Sequence, residues 1–200
     1  KVILASYNTK KKYFRLKDGS FLNLDNEYFN TLRRLVEDLD VTEEDLEEGH
    51  VVLPKYRSLY LDSLIKNNTW IKVDRSQSFR EMIRSIGDCE NSNYELPNNL
   101  KPILRSYQQT GYRWLKSLAS YSLGGILADD MGLGKTLQVI SLLSSDKSKL
   151  PSIVVCPTSL VYNWKSEIEK FSPEISALII SGSSQERGSL ISSINDYDLI

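Results

Sequence analysis

Gly124-Gly125-Ile126-Leu127-Ala128-Asp129-Asp130-Met131-Gly132-Leu133-Gly134-Lys135-Thr136 decides the fold of the second half of this chain. It reads as a short buried strand, a glycine loop and the start of a helix. Glycines let a backbone curl so that several N–H groups face one anion. A following helix adds the positive end of its dipole. In that arrangement Lys135 reaches the outer phosphates of a nucleotide and the Thr136 hydroxyl holds Mg²⁺. The general pattern is G-x-x-x-x-G-K-[ST], and Asp129 stands where the first glycine belongs. The alternative is a glycine turn between strand and helix with a solvated lysine. Context favours the loop: Ile126-Leu127-Ala128 precedes it like a strand, and Leu137, Val139, Ile140, Leu142 and Leu143 follow it like a buried helix.

Outward from the loop, the spacing predicts a helix over Tyr107–Leu118, capped by Ser106. Its inner face carries Tyr107, Thr110, Gly111, Trp114, Leu115 and Leu118. Downstream, Ser152-Ile153-Val154-Val155-Cys156 is a continuous apolar strand of the buried parallel type. Pro157-Thr158-Ser159 breaks it, with Thr158 or Ser159 as a helix cap. A helix with Leu160, Val161, Trp164, Ile168 and Phe171 in register follows, Trp164 reading as core. Ala177-Leu178-Ile179-Ile180 is another buried strand, Ser184–Ile194 a helix, and Tyr197-Asp198-Leu199-Ile200 the start of a further strand. Strands alternating with helices predict a parallel α/β sheet.

The first half has another character. Tyr13–Lys17 and Phe21–Leu24 flank Asp18-Gly19, a hairpin signal, and Val2–Ala5 reads as a third strand. Lys10, Lys11 and Lys12 fit a guarded strand edge better than a phosphate contact. Tyr28, Leu32, Leu35, Val36 and Leu39 recur at helical spacing. Thr42 with Asp45 marks a helix start and Gly49 a stop. The acidic run from Glu43 to Glu48 reads as a solvated face. Pro54 opens the next helix, and residues 78–86 form one more that ends at Gly87. Asp88, Asn91, Ser92, Asn93, Pro97, Asn98 and Asn99 make a connector, where the boundary is placed: an accessory α+β domain over 1–95 and an α/β lobe over 96–200.

Composition limits the function classes. The 200 residues carry a net charge of −1, which argues mildly against tight nucleic-acid binding by this stretch alone. Cys89 and Cys156 lack pairing or metal spacing, which suits a reducing, cytoplasmic setting, and the single histidine makes a His-based metal site a poor expectation. No apolar run approaches a membrane span. The chain starts at Lys1 and reads as a piece of a longer one.

Three ordered motifs resemble the first ATPase lobe of the SWI/SNF-type family of helicase superfamily two. Leu104-Arg105-Ser106-Tyr107-Gln108-Gln109-Thr110-Gly111-Tyr112-Arg113-Trp114-Leu115 looks like its Q-motif region. Ile126 to Thr136 looks like motif I, in which Asp129 is usual and Asp130 replaces the usual Glu. Val154 to Leu160, with Asn163, Trp164 and Glu167, looks like motif Ia. Residues 1–100 resemble, more weakly, the accessory segment of bacterial members. The resemblance implies a partial RecA-like parallel sheet with flanking helices, preceded by a small α+β accessory domain.

It also implies roles. Gln108 would read the adenine edge, and Arg105 would stack on or touch the ring. Asp129, Asp130, Met131, Gly132, Leu133, Gly134, Lys135 and Thr136 would form the ATP-Mg loop, with Lys135 and Thr136 in the catalytic machinery. Pro157, Thr158, Ser159 and Leu160 would lie on the backbone of double-stranded DNA without reading sequence. No Asp-Glu-x-His segment is present, and Asp198, with no apolar run before it, does not replace it. The expectation is therefore part of a monomeric, nucleoid-associated DNA-translocating ATPase that binds nucleotide weakly and does not turn it over by itself. Two other readings remain open: a non-catalytic module in which residues 1–100 dock a partner, and a phosphate-loop enzyme of another kind, such as a small-molecule kinase.

Overall fold

The structure, a computed structural model, describes residues 12–68, 72–90, 92–146, 148 and 150–200. The expected strand Val2–Ala5, with Lys10 and Lys11, lies outside the described residues. The chain divides into two compact units between residues 72 and 73.

In the first unit, β1 (Tyr13–Arg15) pairs antiparallel with β2 (Phe21–Asn23), with Phe14 opposite Leu22. The turn depends on Gly19 at φ 89°, a left-handed backbone that favours glycine. Ser20 donates its amide and hydroxyl to the Asp18 carboxylate, at 3.0 and 2.7 Å. Asn26 caps α1 (Glu27–Asp38) by accepting the Phe29 amide at 3.1 Å. Thr42 and Asp45 form a reciprocal capping box on α2 (Glu43–Glu48), which Gly49 ends at φ 75°. After Pro54, a single 3₁₀ turn leads into α3 (Ser58–Asn67). Leu24 and Leu39 are buried.

In the second unit, Ser76 caps α4 (Gln77–Gly87), which is followed by α5 (Ser106–Ser120), α6 (Lys135–Ser144), α7 (Val161–Phe171) and α8 (Ser184–Ile191). Helix α5 is sandwiched. On one side Leu118 packs with Met82 and Ile86 of α4; on the other it lies against α6. Its buried residues are Gln108, Tyr112, Ser117 and Leu118, so the inner face is not the single stripe expected from spacing. Two covered sides replace one, and polar groups are drawn in where partners exist: Tyr112 donates to the Glu95 carbonyl at 2.8 Å and Ser117 to that of Ser85 at 3.1 Å. A second core joins Leu100, Leu104, Leu137, Ile140, Ile168 and Leu199, with Trp164 packed against it as expected.

The fold is mostly helical, and of the expected partial parallel sheet the described residues form only isolated bridges. The segments at 126–128, 153–156 and 177–180 are not regular strands. Two isolated parallel bridges, Ser152–Leu199 and Ala177–Leu199, tie three segments together with residues 197–200 in the middle. Ser152 N–H donates to Asp198 at 2.8 Å, Val154 to Ile200 at 2.9 Å, and Leu178 to Leu199 at 2.8 Å. The reason for the shortfall is coverage. Strands of the buried parallel type need a layer on both faces, whereas Ile126, Ile153 and Val155 are 86%, 72% and 93% exposed.

Candidate functional site

The loop before α6 is shaped by two left-handed glycines, Gly132 at φ 84° and Gly134 at φ 74°. Gly134 is also the N-cap of α6, so the loop delivers Lys135 and Thr136 to the first helical turn. A Cβ on Gly134 would lie 2.5 Å from Gln108 Nε2. Glycine is required there twice, for the backbone and for the approach of α5. Thr136 is half-buried on the first turn of α6.

Lys135 folds back over the loop. Its Nζ donates to the Asp129 carbonyl at 2.6 Å and to the Asp130 carbonyl at 2.9 Å. Two backbone acceptors thus hold the ammonium beside the helix N-terminus, where negative charge is favoured. Met131 stands out from the loop, 97% exposed, and Leu133 is at the edge of exposure.

Helix α5 closes the loop from one side. Gln108 is 6% exposed. Its Oε1 accepts the Arg105 amide at 3.0 Å, and its Nε2 donates to the Leu133 carbonyl at 3.0 Å. Tyr107 donates its hydroxyl to the same carbonyl at 3.2 Å. Ser106 is the first residue of α5 rather than its cap; Arg105 holds the cap position and is exposed. The structure therefore brings Gln108, Leu133, Gly134 and Lys135 together, with Arg105 at the edge.

Pro157, Thr158, Ser159 and Leu160 are all exposed. Thr158–Leu160 form one 3₁₀ turn that leads into α7. Neither hydroxyl caps α7, which has no side-chain cap; the sequence left that role open. Asp198 is engaged elsewhere: its Oδ2 accepts the Ser176 hydroxyl at 2.6 Å and the Ser176 amide at 2.9 Å. Those two bonds hold its carboxyl below the ordinary aspartate range. Among the described residues no cluster of metal-ligating side chains occurs, and no helix is long and apolar enough to cross a membrane.

Sequence reasoning missed Gln138. It is 1% exposed and donates to the Asp129 carboxylate at 2.8 Å. The available signal was a glutamine inside the apolar register Leu137 to Ile140.

Comparison with known proteins finds two family matches along the chain. Residues 1–97 match the family described as bacterial SNF2 helicase associated, and residues 107–198 match the SNF2-related domain. An "Uncharacterized ATP-dependent helicase" of Mycoplasma pneumoniae is 35% identical over 206 residues, covering 100% of this chain and 20% of that protein. The "ATP-dependent DNA helicase DDM1" of Arabidopsis thaliana is 39% identical over 144 residues, covering 68% of this chain and 19% of that protein. The solved "Sulfolobus solfataricus SWI2/SNF2 ATPase core in complex with dsDNA" is 40% identical, with a TM-score of 0.44, and the match covers 48% of this chain and 20% of that one. The chain thus spans about a fifth of the length of each of these relatives.

Proposed function

Because the chain belongs to the SNF2 family, joining its bacterial helicase-associated segment to an SNF2-related domain, we propose that it carries the nucleotide-binding front of an ATP-dependent translocase on double-stranded DNA. The observation that carries this reading is the loop itself. Left-handed Gly132 and Gly134 present backbone to an anion, and Lys135 and Thr136 follow on the first turn of α6. Lys135 would turn from its carbonyl partners to the outer phosphates, and Thr136 Oγ1 would hold Mg²⁺, which when bound would supply charge neutralisation at the phosphates. Gln108, bonded to the Leu133 carbonyl of the loop and to the Arg105 amide, would meet the base together with Arg105. For Gln108 to read adenine, its amide must share or give up the Leu133 carbonyl.

The DNA-contacting turn is Pro157–Leu160, whose hydroxyls are exposed and not used for capping. Similarity to the Arabidopsis thaliana ATP-dependent DNA helicase DDM1 supports DNA as the track. Residues 1–95 form the accessory domain, with residues 96–200 as the front of the lobe. In this reading the chain binds Mg-nucleotide weakly and does not hydrolyse it, since the acidic group that activates water is not among its motifs.

The test is a titration with a fluorescent ATP analogue. Saturable binding that Lys135→Ala abolishes is expected. Binding unaffected by Lys135→Ala would remove the loop from the function, and DNA-stimulated turnover by these 200 residues alone would overturn the division of labour.

A further inference from the structure

Two locally unfavourable residues meet between α5 and α6. Gln138 occupies a buried position on α6, and its Oε1 has no hydrogen-bond partner. A buried amide with one end unsatisfied is destabilising relative to an apolar side chain of similar shape. Gly111 lies inside α5, where glycine is a poor helix former. The two fit each other: a Cβ on Gly111 would stand 1.8 Å from Gln138 Oε1. Gly111 is therefore the space in which the Gln138 amide sits.

What the pair achieves is a fixed Asp129. Gln138 Nε2 holds Asp129 Oδ2 at 2.8 Å, nine residues back in the chain. The backbone carbonyls of Asp129 and Asp130 are the two acceptors of the Lys135 ammonium. Side chain and main chain of one residue are thus tied to successive turns of the same helix.

We propose that Gln138, seated in the space left by Gly111, is a positioning residue for Lys135: by holding the Asp129 carboxylate it fixes the backbone at Asp129 and Asp130, whose carbonyls receive the ammonium. Its consequence for nucleotide binding rests on the phosphate-loop reading above; its geometry does not. Prepositioning a charged group through a supporting hydrogen bond is how loops of this kind hold their geometry.

The readout is the acylation rate of Lys135, followed by mass spectrometry on the whole chain with an amine-reactive ester, using Lys116 as internal reference. Gln138→Met keeps the length and apolar fit but removes the donor. It is expected to speed Lys135 acylation about tenfold, the scale of one charge-assisted hydrogen bond, with thermal stability unchanged or raised. Gly111→Ala, which displaces the amide without altering it, is expected to act in the same direction. Gln138→Glu sets two carboxylates together and should also release Lys135. The double variant Gln138→Glu with Asp129→Asn reverses donor and acceptor and should restore the slow rate. Equal rates in the natural chain and Gln138→Met, or no recovery in the double variant, would overturn the proposal. Repeating the assay with Mg-ATP separates the two readings. If ATP fails to slow Lys135 acylation while Gln138→Met still speeds it, the nucleotide reading fails and the positioning role stands.

Discussion

The side-chain amide of Gln108 bridges to Leu133: Nε2 donates to the Leu133 carbonyl at 3.0 Å, while Oε1 accepts the Arg105 amide at 3.0 Å. One buried side chain therefore joins the start of α5 to the last turn of the loop before α6. The two helices do not merely flank the loop; α5 holds it.

Gln108→Ala is expected to leave the Arg105 amide without its acceptor and Leu133 with Tyr107 as its remaining side-chain donor. A destabilisation of about 1–2 kcal/mol in urea unfolding should accompany weaker nucleotide binding. Gln108→Glu retains an acceptor for Arg105 but no donor for Leu133. It should therefore keep part of the stability while losing the affinity. Equal stability of Gln108→Ala and the natural chain would mean that the bridge does not support the fold.

Gly134→Ala meets two obstacles. At φ 74° a side chain is strained, at a cost of about 1–2 kcal/mol, and the new Cβ would sit 2.5 Å from Gln108 Nε2. The measured loss in urea unfolding should exceed the backbone cost alone. It should shrink to roughly that cost in the Gln108→Ala background, since neighbouring changes are not additive. The same loss in both backgrounds would assign the whole effect to the backbone.

Asp198 links acidity to the small parallel ladder. The Ser176 hydroxyl and then its amide lower the carboxyl's proton affinity in the folded chain. A lowered folded value means that the contribution is fully present above the ordinary aspartate value of about 3.9 and is lost as pH falls through the folded value. The melting temperature of Asp198→Ala should therefore lie below that of the natural chain at about pH 7, and the gap should close towards about pH 2. A gap independent of pH would place the effect in packing rather than in charge.

Several features were legible because they are local. The Asp18-Gly19 hairpin, the Thr42–Asp45 capping box and the stop at Gly49 each need only neighbours within a few residues, and each formed where the sequence placed it. The parallel sheet was less legible. Apolar runs report which segments tolerate burial on both faces, but pairing requires another strand at the right distance. Among the described residues the pairing amounts to two isolated bridges at Leu199 and a few backbone hydrogen bonds of residues 198–200.

The sequence by itself determined the phosphate-loop motif, the helix that follows it, the family resemblance and the local turns. These depend on residue type and short spacing. The tertiary structure alone decided how Gln108 is spent, that Gly111 makes room for Gln138, and that Asp129 is tied to α6 while its carbonyl receives Lys135. The physical reason is distance along the chain. Gln108 and Leu133 are separated by 25 residues, and nothing in local propensity reports a contact formed only when two helices pack. Asp129 stands where the general phosphate-loop pattern has a glycine, and the fold gives its carboxylate a partner on α6.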